Sequence, residues 1–305
     1  MSAMKVLKVV SVSLGPSDRD HEAEIELLGK RINIKRIGSD GDVEKAVRLA
    51  ATLDGRVDAI GIGGIDFYLT IKGDKYPMPD AFKIARAAKN TPVVDGSGIK
   101  NQVEDKVVGI LIDELKINPA DKKVFFVCAT NRALMAESFE NAGFDIIFGD
   151  LMTAAKLPLP VKSLAAGKIA AKIFGPIVTR ILPYWFIYPV KSSKKSHSER
   201  FGDYFRWADI IAGDYNYINL HAPLDLHGKT VVTTSATEEN IETLRRRGVK
   251  YLVTTYPRIG GRAYGANVIE ALLIAVSGRK RPLFPGEYVE LINKINFPPR
   301  LEILN

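Results

Sequence analysis

Apolar and polar positions alternate along this chain with two periods, and their order predicts strands and helices from end to end. The apolar run Val6 to Leu14 reads as a first strand, broken by Gly15-Pro16. Ala23 to Leu28 and Ile32 to Ile37 alternate with period two around Gly29-Lys30-Arg31, which is the pattern of a hairpin. From Asp42 to Leu53, the residues Val43, Ala46, Val47 and Ala50 share one helical face, and Asp54-Gly55 stops the helix. A strand follows at Val57 to Ile62, then a second hairpin over 67–71 and 75–78. Helices are expected over 80–89 and 101–115, on either side of a strand at 92–94.

Asn118-Pro119-Ala120-Asp121 joins turn residues to a loss of periodicity, and marks the expected boundary between lobes 1–118 and 119–305. Two lobes are also the default for 305 residues, more than one core usually serves. In the second lobe, strands are expected near 123–128, 145–148, 208–212, 230–234 and 251–255. Helices fall over 132–142, 238–247 and 266–276. Such alternation predicts an α/β fold: two lobes with mainly parallel, Rossmann-like sheets, hairpins in the N-terminal lobe, and a basic apolar insertion in the C-terminal lobe.

Charge changes the picture in one place. The chain carries 43 Lys and Arg against 35 Asp and Glu, a net charge of +8. All of that excess lies between Lys156 and Lys195, which holds eight basic residues and no acidic one. The balanced remainder argues against a basic nucleic-acid stripe, so no nucleic-acid partner is expected. Read as a helix over 164–182, the insertion groups Lys168, Lys172 and Arg180 beside Ile169, Ile173, Phe174 and Ile177, with Pro176 as a kink. Two lysines and a proline argue against a membrane span of this length. A peripheral membrane contact, a lid over an apolar ligand and a homo-oligomer arm stay open for 156–195. The single cysteine, Cys128, rules out an internal disulfide. With no signal peptide in Met1 to Val10, it points to the cytoplasm.

Candidate chemistry gathers at the strand ends, where open α/β sheets bind ligands. Asp95-Gly96-Ser97-Gly98 precedes a helix, with Lys100 and Asn101 close behind. Asp95 and Lys100 are the candidate catalytic pair, for acid–base work or hydroxyl contacts. Asp66, Ser97 and Asn101 are candidate substrate contacts. Arg258 and Arg262, in a loop with three glycines, are a candidate clamp for a carboxylate or phosphate. The alternative at each place is an ordinary turn, with Ser97 as a helix cap. Cys128 ends a strand one turn before Arg132, a setting that lowers a thiol pKa if the thiol is exposed and leaves it inert if buried. His221, Asp225 and His227 fit no standard zinc spacing, and no metal site is expected.

At Ser11-Val12-Ser13-Leu14-Gly15, Ile62-Gly63-Gly64-Ile65-Asp66, Val94-Asp95-Gly96-Ser97-Gly98 and Phe148-Gly149-Asp150-Leu151-Met152, the chain resembles proteins labelled quinate 5-dehydrogenase. The resemblance runs over nearly the whole length. It implies an NAD(P)-dependent oxidoreductase of the quinate/shikimate type. NAD or NADP would then be the cofactor, with Thr130, Asn131, Arg132, Thr234 and Ser235 as the candidates to hold it. Against the shikimate dehydrogenase pattern, Cys128-Ala129-Thr130-Asn131-Arg132-Ala133 lacks the glycines of a dinucleotide turn. Two functions are therefore carried forward. One is an enzyme acting on a small anionic hydroxylated metabolite. The other is a non-catalytic ligand-binding protein, or one that docks on a membrane or partner through its insertion.

Overall fold

Strands covered on both faces need no polar alternation, and the apolar runs around residues 9–13, 59–62, 124–126 and 230–233 are buried without a break. The computed structural model describes residues 6–71, 73–153, 157–167, 169 and 201–305. Most of the insertion at 156–195, including its basic and aromatic positions from Lys168 onward, lies outside the described residues apart from Ile169.

In chain order the first elements are β1 (Leu7–Ser13), β2 (His21–Leu27), β3 (Lys30–Gly38), α1 (Val43–Leu53) and β4 (Ala59–Gly63). The hairpin β5 (Tyr68–Ile71) and β6 (Asp74–Pro77) comes next, followed by α2 (Pro79–Ala85), β7 (Val93–Val94) and α3 (Ser97–Val103). Then α4 (Lys106–Gly109), continued by a π-helical turn over Ile110–Glu114, leads to β8 (Lys123–Phe126). After it come α5 (Ala133–Ala142), β9 (Asp145–Phe148) and α6 (Asp150–Thr153). Beyond residue 200 the order is α7 (Gly202–Trp207), β10 (Ile210–Ala212), α8 (Tyr215–His221), β11 (Thr230–Thr233) and α9 (Glu238–Arg246). The chain closes with β12 (Tyr251–Thr254), α10 (Ala266–Ser277), α11 (Pro285–Lys294) and β13 (Arg300–Ile303).

These elements divide into two compact units that do not follow one boundary at 118–119. Unit 1 takes 1–68, 77–102 and 258–297, and unit 2 takes 69–76, 103–257 and 298–305. The physical reason is α10, which packs on β1, β4 and β7 although more than 170 residues separate it from them. Unit 1 is one sheet in the order β2-β3-β1-β4-β7, with only β2 antiparallel. Glycine is required at 61 for α10 to come so close, since a Cβ there would sit 2.5 Å from the Asn267 carbonyl oxygen.

Unit 2 holds the sheet β13-β12-β11-β10-β8-β9, parallel except for β13. Successive side chains of each strand enter different cores. Phe125, Ile147, Ile211, Val231 and Leu252 join one cluster, while Val124, Phe126, Ile146, Phe148, Ile210, Val232 and Val253 join the other. Read from β9, the strands run second, first, third, fourth, fifth. This is a doubly wound order whose direction reverses between β8 and β10, and a ligand crevice is expected beyond the carboxyl ends there.

The helix expected over 101–115 starts earlier and breaks. Asp95 draws the backbone of Ser97 into the first turn, and α3 ends before the buried Glu104. The elements α11 and β13 were not legible in the periodicity. The first is set by Glu287, whose carboxylate accepts the Phe284 amide behind Pro285 at the first turn.

Candidate functional site

In unit 1 the carboxyl ends of β4 and β7 carry the predicted residues Asp66 and Asp95. Lys100 Nζ donates to Asp66 Oδ1 at 2.5 Å, and both side chains are nearly buried. Asp95 takes three other donors: the Phe67 amide at 2.6 Å, the Ser97 amide at 2.9 Å and the Ser97 hydroxyl at 2.9 Å. The two members of the expected catalytic pair thus engage different partners, and Asp95 acts as the anchor of the Gly96 turn. Gly96 itself has a φ of +96°, and a Cβ there would meet the Ala266 Cβ at 2.6 Å. Asn101 is exposed.

Beside this turn lies Glu270, a buried acid that the sequence reading missed. The Tyr288 hydroxyl donates to Glu270 Oε1 at 2.5 Å. Burial, followed by the charge of Asp95, pushes the Glu270 carboxyl up to about 7, while Tyr288 and the Gly96 and Gly98 amides pull the other way. One signal in the sequence marked it: Glu270 is the single charged residue of an otherwise apolar helix. Asn267, on the same helix, donates from Nδ2 to the Ser11 hydroxyl at 2.9 Å.

The arginine loop of unit 1 is a tight turn. Ile259 and Arg262 exchange backbone hydrogen bonds of 2.9 and 3.1 Å around Gly260-Gly261. Arg262 is exposed and Arg258 half-buried.

In unit 2 the reversal between β8 and β10 is occupied by a charged cluster. Arg132, one of the predicted residues, donates from Nη1 to Glu104 Oε1 at 3.0 Å and from Nη2 to Asp214 Oδ2 at 2.7 Å. Neither carboxylate was among the candidate site residues, although Gly213-Asp214 read as one of the polar strand ends, and each stands far from Arg132 in sequence. Asp214 also caps α8 by accepting the Asn216 amide, and the Tyr256 hydroxyl lies 3.4 Å from Glu104 Oε1. At neighbouring strand ends, Asn131 Oδ1, Thr233 Oγ1 and Thr255 Oγ1 are buried with no hydrogen-bond partner among the described residues. Native interiors leave few such atoms, and a missing partner at a strand end points to a water or ligand. Thr234 is buried and Ser235 half-buried at the end of β11.

The turn from Cys128 to Arg132 has its own acid. Asp150 accepts the amides of Ala129 at 3.0 Å and Thr130 at 2.9 Å, and its Oδ1 lies 3.5 Å from Cys128 Sγ. These are amides that a dinucleotide pyrophosphate would need. A half-buried carboxylate already accepts them, so the turn does not fit NAD or NADP. Burial and then Asp150 push the Cys128 thiol well above its ordinary range. Cys128 is therefore not an activated thiolate. Its alkylation by iodoacetamide at pH 8 is expected to be negligible in the folded protein and complete in denaturant. Rapid native labelling would contradict this environment.

Among the described residues, no group of three or more His, Cys, Asp and Glu is placed to hold a metal ion, and no helix is long and apolar enough to cross a membrane.

Fold and site together define a two-unit, doubly wound α/β protein with polar clusters at the carboxyl ends of its strands. The chain belongs to the family described as "Domain of unknown function (DUF8754)", which matches residues 98–304. A second, "Domain of unknown function (DUF8753)", matches residues 8–95. No curated protein matches by sequence.

Among solved structures the chain is similar to a galactofuranose binding protein, at 14% identity and TM-score 0.39, over 95% of this chain and 98% of that one. The arabinose-binding component of a transporter from Shewanella sp. ANA-3 shares 12% identity at TM-score 0.38, over 94% and 95%. A glutamate dehydrogenase from Thermus thermophilus shares 12% at TM-score 0.44, over 96% and 74%. The expectation of an NAD(P)-dependent oxidoreductase of the quinate type is corrected by the Cys128 turn, whose Ala129 and Thr130 amides are occupied by Asp150.

Proposed function

We propose that this protein is a non-catalytic binder of a small hydroxylated molecule, held at the carboxyl end of the unit 2 sheet. The observation that carries the reading is the set of buried, partnerless polar atoms on Asn131, Thr233 and Thr255 together with the Glu104–Arg132–Asp214 cluster. Sugar-like hydroxyls are both donors and acceptors, so they satisfy an amide oxygen, a threonine hydroxyl and a carboxylate alike. The charged groups here are fixed by one another, which suits orientation of a ligand better than proton transfer.

The test is calorimetric titration and thermal shift with pentoses, hexoses, quinate and shikimate. A true ligand at a hundred times its Kd stabilises by about 2.7 kcal/mol. Thr233→Val removes a hydroxyl that has no partner, so it is expected to leave stability unchanged or raised while weakening that ligand. If no hydroxylated compound binds at millimolar concentration, or if the Thr233→Val variant binds as tightly as the parent, the proposal fails.

A further inference from the structure

At the opposite end of the unit 2 sheet, the amino ends of β8, β10, β11 and β12 border a cavity of about 620 Å³. That volume is within the range of small-molecule sites, about 300–1,000 Å³. Four lysines line it, Lys116, Lys122, Lys229 and Lys250, together with His227 and the ring-bearing Tyr251. Two acids, Asp121 and Asp209, line it as well.

Charge there is uneven, with four lysines against two carboxylates in the lining. Asp121 Oδ2 accepts from Asn118 Nδ2 at 2.7 Å, and Asp209 Oδ2 accepts the Lys123 amide at 3.0 Å. None of the four lysines forms an ion pair with a described residue. Lys229 is half-buried. Its Nζ donates to the Ala208 and Arg206 carbonyls at 2.6 and 3.0 Å, which leaves one of its three N–H groups for a ligand. Burial lowers its pKa, against the opposing pull of Asp209 and then Asp225. Lys116 is held in the left-handed region, with a φ of 55°, a conformation uncommon outside glycine.

We infer that this cavity is a second binding site, for a small multiply charged anion of the phosphate-ester or diphosphate class. Its lysines supply the ammonium donors, Lys229 through the N–H group its two carbonyl contacts leave over. The site is separate from the hydroxylated-ligand site, since it uses the other ends of the same strands.

The experiment is calorimetric titration of the full chain with inorganic pyrophosphate at low and at 0.15 M salt. Saturable binding at one site per chain is expected, weaker at the higher salt because the contacts are between ions. Lys122→Ala and Lys250→Ala change surface side chains and are expected to keep the fold. Each is expected to lose about tenfold in affinity, the worth of one charge-assisted hydrogen bond. Thr233→Val, at the other end of the sheet, is expected to leave pyrophosphate binding unaltered. Absence of binding in the parent overturns the inference. So does undiminished binding in both lysine variants, which would place the anion on other basic residues.

Discussion

Replacing Arg132 with methionine is expected to remove about 3–5 kcal/mol from the stability of unit 2, the usual consequence of withdrawing one partner from a buried ion pair. Arg132 sits between Glu104 and Asp214 with its side chain almost wholly buried. Without the guanidinium, two acids face each other across a low-dielectric space. The measurement is guanidinium-induced unfolding followed by circular dichroism, comparing midpoints and slopes. Changing all three residues together to apolar ones of similar size is expected to recover much of that loss, because no buried charge is then left uncompensated. Ligand binding should not return with it. A loss below about 1 kcal/mol for the single change, the value of an exposed pair, would mean the cluster is hydrated.

Stability is also expected to fall as pH rises, through Glu270. In the unfolded chain this carboxyl titrates near 4.5, and in the folded protein it is raised to about 7. Below the lower value both states hold the proton and the folded state bears no penalty. Between the two values the unfolded state gives up its proton first, so stability declines across that window and levels off above it. The size follows from the shift at 1.36 kcal/mol per unit, about 3 kcal/mol in all. Glu270→Gln keeps an oxygen for the Tyr288 hydroxyl and cannot ionise. Unfolding free energies of parent and variant at pH 4.5 and pH 8 should therefore diverge by roughly that amount. Parallel pH dependence in the two proteins would show that Glu270 is ionised in the folded state at neutral pH.

Much of the local structure was determined by the sequence alone. Asp42 before a one-faced apolar run gave α1 its start, and the structure shows the Asp42 side chain accepting the Lys45 amide there. Period-two alternation around Gly29 placed β2 and β3, and the Gly-rich, polar strand ends marked where the clusters form. These features depend on neighbours within a few residues, so they are written in local order. Arg132 could be picked out in the same way, as a cation in a strand-to-helix turn.

Its partners could not be picked out. Glu104 and Asp214 are 28 and 82 residues away, and only the strand order, with β8 between β9 and β10, brings them to one guanidinium. The same is true of Glu270, which α10 carries onto a sheet whose first strand begins at Leu7. The single boundary expected at 118–119 failed for this reason too: no local turn signal reveals a helix that returns to an earlier sheet. The turn after Cys128 stood in sequence as a candidate to hold a cofactor through Thr130, Asn131 and Arg132, and tertiary structure filled the Ala129 and Thr130 amides with Asp150. Local chemistry decides which groups stand at the strand ends. Packing of distant segments decides which of those groups satisfy one another and which are left for a ligand.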